Sequence, residues 1–115
     1  MLKTIPELLQ DAATNIRRIS AETANKELAE NKGLVIDVRE PSEHQENGAP
    51  GTINIPRGLL EMKLMEIEKD PQRPIYLHCA TSARATLSAE QLARVGYENV
   101  SVITCDMATI NNEIN

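Results

Sequence analysis

Cys79 follows the apolar run Pro74-Ile75-Tyr76-Leu77-His78 and stands five positions ahead of Arg84, across the short stretch Ala80-Thr81-Ser82-Ala83. The order is strand, thiol, tight loop, cation, helix. A thiol at the tip of a strand, with the next helix starting back toward it, faces several backbone N–H groups and the positive end of a helix dipole; both favour a thiolate. Successive N–H groups in such a turn also form an anion cradle, to which Arg84 adds a fixed charge and a planar donor fork. A cation in a first helical turn opposes the macrodipole unless an anion sits beside it. On these residues alone two readings stay open: a reactive sulfur beside an anion, or a small buried hydrophobe followed by a solvated arginine.

The elements that must hold this pair alternate along the chain. Ile5, Leu8, Leu9, Ala12, Ala13, Ile16 and Ile19 recur at three- and four-residue steps behind Thr4 and Glu7, which are spaced as a capping box. This predicts an amphipathic N-terminal helix over residues 1–18, either covering the domain's own core or mediating a homodimer. Ser20 reads as the N-cap of a second helix running to about Asn31, with Gly33 as its stop. The run Leu34-Val35-Ile36-Asp37-Val38 is a strand of the kind covered on both faces. The turn-forming stretch from Pro41 to Gly51 has no period and is expected to be a loop. A short strand (Ile53-Asn54-Ile55), a helix ending before Pro71, the Cys79 strand, a helix stopped by Gly96, and a last strand (Val100-Ser101-Val102-Ile103) complete the pattern.

Strands alternating with helices predict an α/β fold, a parallel sheet of four to five strands with helices on both faces. Such sheets bind ligands beyond the carboxyl ends of their strands, where Asp37, Arg39, Arg57 and Cys79 all fall.

Composition narrows the function classes. With 115 residues the chain is one domain around a core that must be aliphatic, because there are two tyrosines and no Phe or Trp. A net charge of −5 argues against nucleic acid or an anionic membrane as partner, so anion binding has to be local. No apolar stretch approaches the length of a membrane span, and a cytoplasmic protein is expected. Two cysteines, at 79 and 105, match no zinc spacing; neither a metal nor an organic cofactor is expected.

Four pieces, in this order and spacing, resemble a rhodanese-like sulfurtransferase domain: Leu34-Val35-Ile36-Asp37-Val38-Arg39-Glu40-Pro41, Pro50-Gly51-Thr52-Ile53-Asn54-Ile55-Pro56, the loop from Cys79 to Arg84, and Gly96-Tyr97-Glu98-Asn99-Val100. The domain would span residues 19–115 with a divergent C-terminal end. The preceding helix and the run Arg57-Gly58-Leu59-Leu60-Glu61 look like a single-domain bacterial subgroup. The resemblance implies that Cys79 accepts a sulfane sulfur as a persulfide, from thiosulfate or a similar donor, and passes it to a thiol or cyanide. Arg84 would hold the donor's anionic part or fix the loop, and Ala80, Thr81, Ser82 and Ala83 would line the cradle. Asp37 would pair with an arginine at the loop base. Arg39 matches the family's strand-end arginine, with a salt bridge to Glu40 or Glu43 as the plainer role; Arg57 would line the pocket mouth or be solvated.

The related phosphatase architecture has a loop one residue longer, and the narrower cradle here suits sulfur better than phosphate. His78, on the strand face opposite Cys79, reads as structural. This chain departs from the pattern at Ser82, where the family usually has glycine, and at Ala80, often a cation. The common Gly-His-Ile-Pro-Gly stretch reads Asn47-Gly48-Ala49-Pro50-Gly51, and a later Gly-Gly pair and tryptophan are replaced by Thr104-Cys105-Asp106-Met107-Ala108-Thr109-Ile110. These changes leave a second reading, a catalytically weak binding or regulatory module. They also predict a weakly held C-terminal segment, and put Cys105 where it could act as a resolving thiol or sit passively half-buried.

Overall fold

The computed structural model describes residues 1–104 and 106–114, so the resolving-thiol reading of Cys105 lies outside the described residues. In chain order the elements are α1 (Ile5–Ala13), β1 (Arg17–Ile19), α2 (Ala21–Asn31), β2 (Leu34–Asp37), α3 (Pro41–Asn47), β3 (Ile53–Asn54), a 3-10 turn (Arg57–Leu59), α4 (Leu60–Ile67), β4 (Ile75–His78), α5 (Ala83–Val95), β5 (Val100–Ile103) and α6 (Met107–Glu113). The five strands are all parallel, in the order β1-β5-β4-β2-β3.

Side-chain alternation along the strands splits the core into two layers. Ile36, Ile75, Leu77, Cys79 and Val102 bury against Leu60 and Leu64 of α4 and Ala85, Ala89 and Leu92 of α5. On the other face Val35, Tyr76 and Ile103 bury against Ala21 and Ala24 of α2 and Met107 and Ile110 of α6. Both layers are mostly aliphatic, as the composition requires. The last helix, capped by Asp106 on the Thr109 N–H (2.9 Å), fully buries Ile110 and nearly buries Met107 and Ile114, despite the missing tryptophan.

Two expected elements differ. The N-terminal helix does not run to residue 18: it is closed at its start by the Thr4–Glu7 capping box, but ends at Ala13. Residues 17–19 form an edge strand paired with β5, in the register Arg18↔Val102 and Ile19↔Ile103. Ile16 packs on one core layer and Ile19 on the other. A three-residue spacing fits either geometry, and β-branched side chains bordering an open sheet edge favour the strand. The second difference is α3, which occupies the stretch expected to be a loop.

At the end of α2 the left-handed residue is Lys32 (φ 54°), not Gly33. Gly33 is needed for a different reason: a Cβ there would stand 2.7 Å from the Pro74 carbonyl oxygen. A side chain in the left-handed region costs on the order of 1 kcal/mol. Lys32→Gly is therefore expected to raise the thermal midpoint by roughly 4 °C, and Gly33→Ala to lower it by forcing the strand β4 entry aside. Thermal unfolding of the two variants checks both signs.

Candidate active site

Cys79 directly follows β4 and is 1% exposed. Its Sγ accepts a hydrogen bond from the Ala85 backbone N–H at 3.3 Å, in the first turn of α5. The strand aims the sulfur at the helix start, where unpaired N–H groups and the dipole favour negative charge. The intervening loop turns through Ser82, which adopts φ 68° and ψ −7°. A left-handed serine is the strain expected if the backbone requires the glycine conformation, at a cost of about 1 kcal/mol. The Ser82 carbonyl is taken up by α5 itself, accepting from the Thr86 N–H (2.9 Å) and hydroxyl (2.7 Å).

Arg84 sits half-buried in the first turn of α5, and the anion beside it belongs to the chain. Its two terminal nitrogens donate to both carboxylate oxygens of Glu43, at 2.7 and 3.0 Å. The pairing holds Glu43 down at about 2, and raises Arg84 above its ordinary value, the bond to Glu43 outweighing burial. Glu43 also accepts from the Glu40 N–H (3.0 Å), closing the start of α3 behind Pro41. No residue of α3 is buried, so no apolar period marks it. Its polar contacts hold it in place.

Two more of those contacts converge on the end of β2. Asp37, fully buried, accepts from the Arg39 Nε (3.0 Å), Nη2 (2.8 Å) and backbone N–H (3.0 Å), and lies 2.9 Å from His44 Nδ1 of α3. Burial would push this carboxyl up, but the bonds from Arg39 and His44 more than offset it and bring it below its ordinary value. The remaining Arg39 nitrogen donates to Asn47 Oδ1 at 2.7 Å. Arg39 thus pairs with Asp37, and not with Glu40 or Glu43. Gly48 permits the arrangement, since a Cβ there would fall 2.5 Å from His44 Nδ1.

Arg57 is exposed and reaches the rim of an open cleft of about 470 Å³ that Arg84, Ser88, Gln91, Glu40 and Glu61 also line. The strand ends bring Cys79, Arg84 and Arg57 to one side of the sheet. Asp37 and Arg39 brace the other. Thr81 is exposed, and Ala80 and Ala83 are half-buried on the loop. A residue not singled out from the sequence also reaches this loop: Arg18 Nη2 donates to Ser82 Oγ at 3.2 Å. Nothing in its spacing marked it, because the contact crosses sixty-four positions.

Residues 20–113 match the rhodanese-like domain family. The chain belongs to it. Among curated relatives, the mitochondrial thiosulfate sulfurtransferase RDL2 of Saccharomyces cerevisiae is 40% identical over 83 residues, covering 62% of this chain and 55% of the yeast protein. The chain spans about half the length, 47% to 58%, of several such relatives. Among solved structures, the polysulfide-sulfur transferase homodimer of Wolinella succinogenes superposes with a TM-score of 0.74 at 28% identity, over 93% of this chain and 81% of that one. A Rhodopseudomonas palustris protein described as a possible tyrosine phosphatase gives 0.80 at 22% identity, over 97% and 92%. That likeness shows the fold alone.

This rhodanese-like domain carries a buried histidine behind its strand ends. His78 pairs in register with Asp37, on the face away from Cys79, and both its ring nitrogens are buried without a hydrogen-bond partner among the described residues. Burial lowers it to about 4, against the pull of Asp37 and with the push of Arg39 and His44. The native state therefore refuses a proton that the unfolded chain takes up near pH 6.5. The His78 contribution is whole above about pH 6.5 and is lost as pH drops toward about 4, on the order of 3 kcal/mol, and below that the lowered Glu43 and Asp37 carboxyls carry the decline further. Urea midpoints measured across that window should show this slope, and His78→Leu should flatten it.

Proposed function

We propose that the chain is a sulfurtransferase that carries a sulfane sulfur on Cys79. The observation that carries this reading is the Cys79 Sγ at the carboxyl end of β4, bonded to the Ala85 amide at the start of α5. The thiolate attacks the outer sulfur of thiosulfate or a similar donor; the donor's S–S bond breaks, and sulfite leaves with the electron pair. A thiol or cyanide then attacks the terminal sulfur of the persulfide, forming a hydropersulfide or thiocyanate and restoring the thiolate. The amides at the start of α5 oppose the persulfide's charge, which a helix N-terminus suits.

In this reading Cys79 is the nucleophile, and Ala80, Thr81, Ser82 and Ala83 shape the cradle. Arg84, neutralised in part by Glu43, fixes the loop, and Arg57 meets the donor's anionic end at the mouth of the cleft. Asp37 and Arg39 act from behind as braces. Small-molecule donors and acceptors suffice, in the cytoplasm, with neither metal nor organic cofactor; no described helix is long and apolar enough to cross a membrane. The relative named thiosulfate sulfurtransferase supports the donor class.

Incubation with thiosulfate followed by intact mass measurement should show one added sulfur, removable by cyanide and absent from Cys79→Ser. If no donor tried loads the wild type, the chain is a binding or regulatory module of the same fold. Ile5 and Leu8 of α1 are exposed, and we propose that a homodimer forms through them. Light scattering after size exclusion should give twice the chain mass, and Ile5→Glu should return the monomer.

A further inference from the structure

The family match begins at residue 20, yet the loop after Cys79 is walled by residues that come before it. A hollow of about 70 Å³ beside the loop is lined by Leu9 and Ala13 of α1 and Arg18 of β1 on one side, and by Thr81, Ser82 and Thr86 on the other. Ser82 stands where the resemblance implies a glycine, and it holds the left-handed conformation that glycine would adopt freely. Its carbonyl is satisfied by α5, but its hydroxyl oxygen is met from outside the loop, by the Arg18 guanidinium.

The placement follows from strand geometry. Arg17 and Arg18 alternate across β1, so they point to opposite faces. Arg17 reaches the α2 side, where it pairs with Glu27 and donates to Ser101 Oγ at 2.9 Å. Arg18, in register with Val102, reaches the α5 side, the face that carries Cys79. A charged donor on a neutral hydroxyl gives a stronger, more directional bond than two neutral groups would.

We propose that Arg18 is a positioning residue for the Cys79 loop: by holding the Ser82 side chain it keeps a serine in the backbone conformation that glycine would otherwise supply. Serine at this position and arginine on β1 are then one device. The segment ahead of the matched domain is part of the machinery that presents the thiol. This deepens the sulfurtransferase reading and rests on it for the word transfer, but not for the geometry.

The test uses the full chain and two readouts, the rate of sulfur loading from thiosulfate and the rate of Cys79 alkylation by iodoacetamide across pH, followed at the Cys79 peptide. Arg18→Ala and Ser82→Ala are each expected to slow both by roughly fivefold, as loss of one charge-assisted bond implies, and the double variant to slow them no further. Arg18→Lys should restore most of the rate. Ser82→Gly should be at least as fast as wild type, and in that background Arg18→Ala should change nothing. The proposal is overturned if Arg18→Ala matches wild type, if the two alanine effects add, or if Arg18 matters equally when residue 82 is glycine. Should the wild type load no sulfur while alkylation follows the predicted pattern, the positioning role stands and the sulfurtransferase reading falls; normal loading without the pattern does the reverse.

Discussion

A buried carboxylate at the end of a central strand sets the conditions for the rest of the molecule. Asp37 lies in the interior with its charge, and only the donors of Arg39 and His44 make that tolerable. Removing one partner from such a pair leaves an uncompensated buried charge, which is far more costly than the pair is stabilising. The arrangement therefore works as a clamp. Arg39 extends the contact to Asn47 and His44 comes from the same short helix, so α3 is tied to β2 at two points. From that anchored helix Glu43 reaches across to Arg84. Forty-one positions apart, the strand-end loop and the thiol-bearing loop are joined through a helix that buries no apolar side chain.

The division of labour follows the two faces of the sheet. Alternation puts Cys79 in the layer under α4 and α5, and puts Asp37 and His78 in the layer on the other side. Polar bracing is thus kept apart from the sulfur, which lies in the mostly aliphatic layer and accepts from the Ala85 amide. The start of α5 meets the sulfur from the helix side, with the Ala85 N–H 3.3 Å from Sγ.

The sequence revealed those parts of this design that rest on apolar period or on one residue's backbone preference. The buried strands around Ile36, Leu77 and Val102, the caps at Thr4 and Ser20 and the strand–thiol–helix order were legible on that basis, while the departure at Ser82 was legible only against the family pattern. What was not legible depends on contacts distant in sequence. Pro41–Asn47 reads as a loop because its helix is held by Glu43, His44 and Asn47 and not by a hydrophobic stripe. Ile16 and Ile19 share a helical spacing, and only pairing with β5 puts Ile19 in an edge strand that Ile16 leads into. Lys32 took the left-handed position that Gly33 advertised, because Gly33 is committed to the close passage of Pro74.

The outermost strands have a consequence for how copies of this chain behave when crowded. Open parallel sheets invite foreign strands to add at their borders, the first step toward aggregation. One border here is three residues long and carries two adjacent cations, Arg17 and Arg18; the other is two residues long. Neither offers a ladder long or neutral enough to template another chain, so the arginine that steadies the loop also guards the sheet against its own kind.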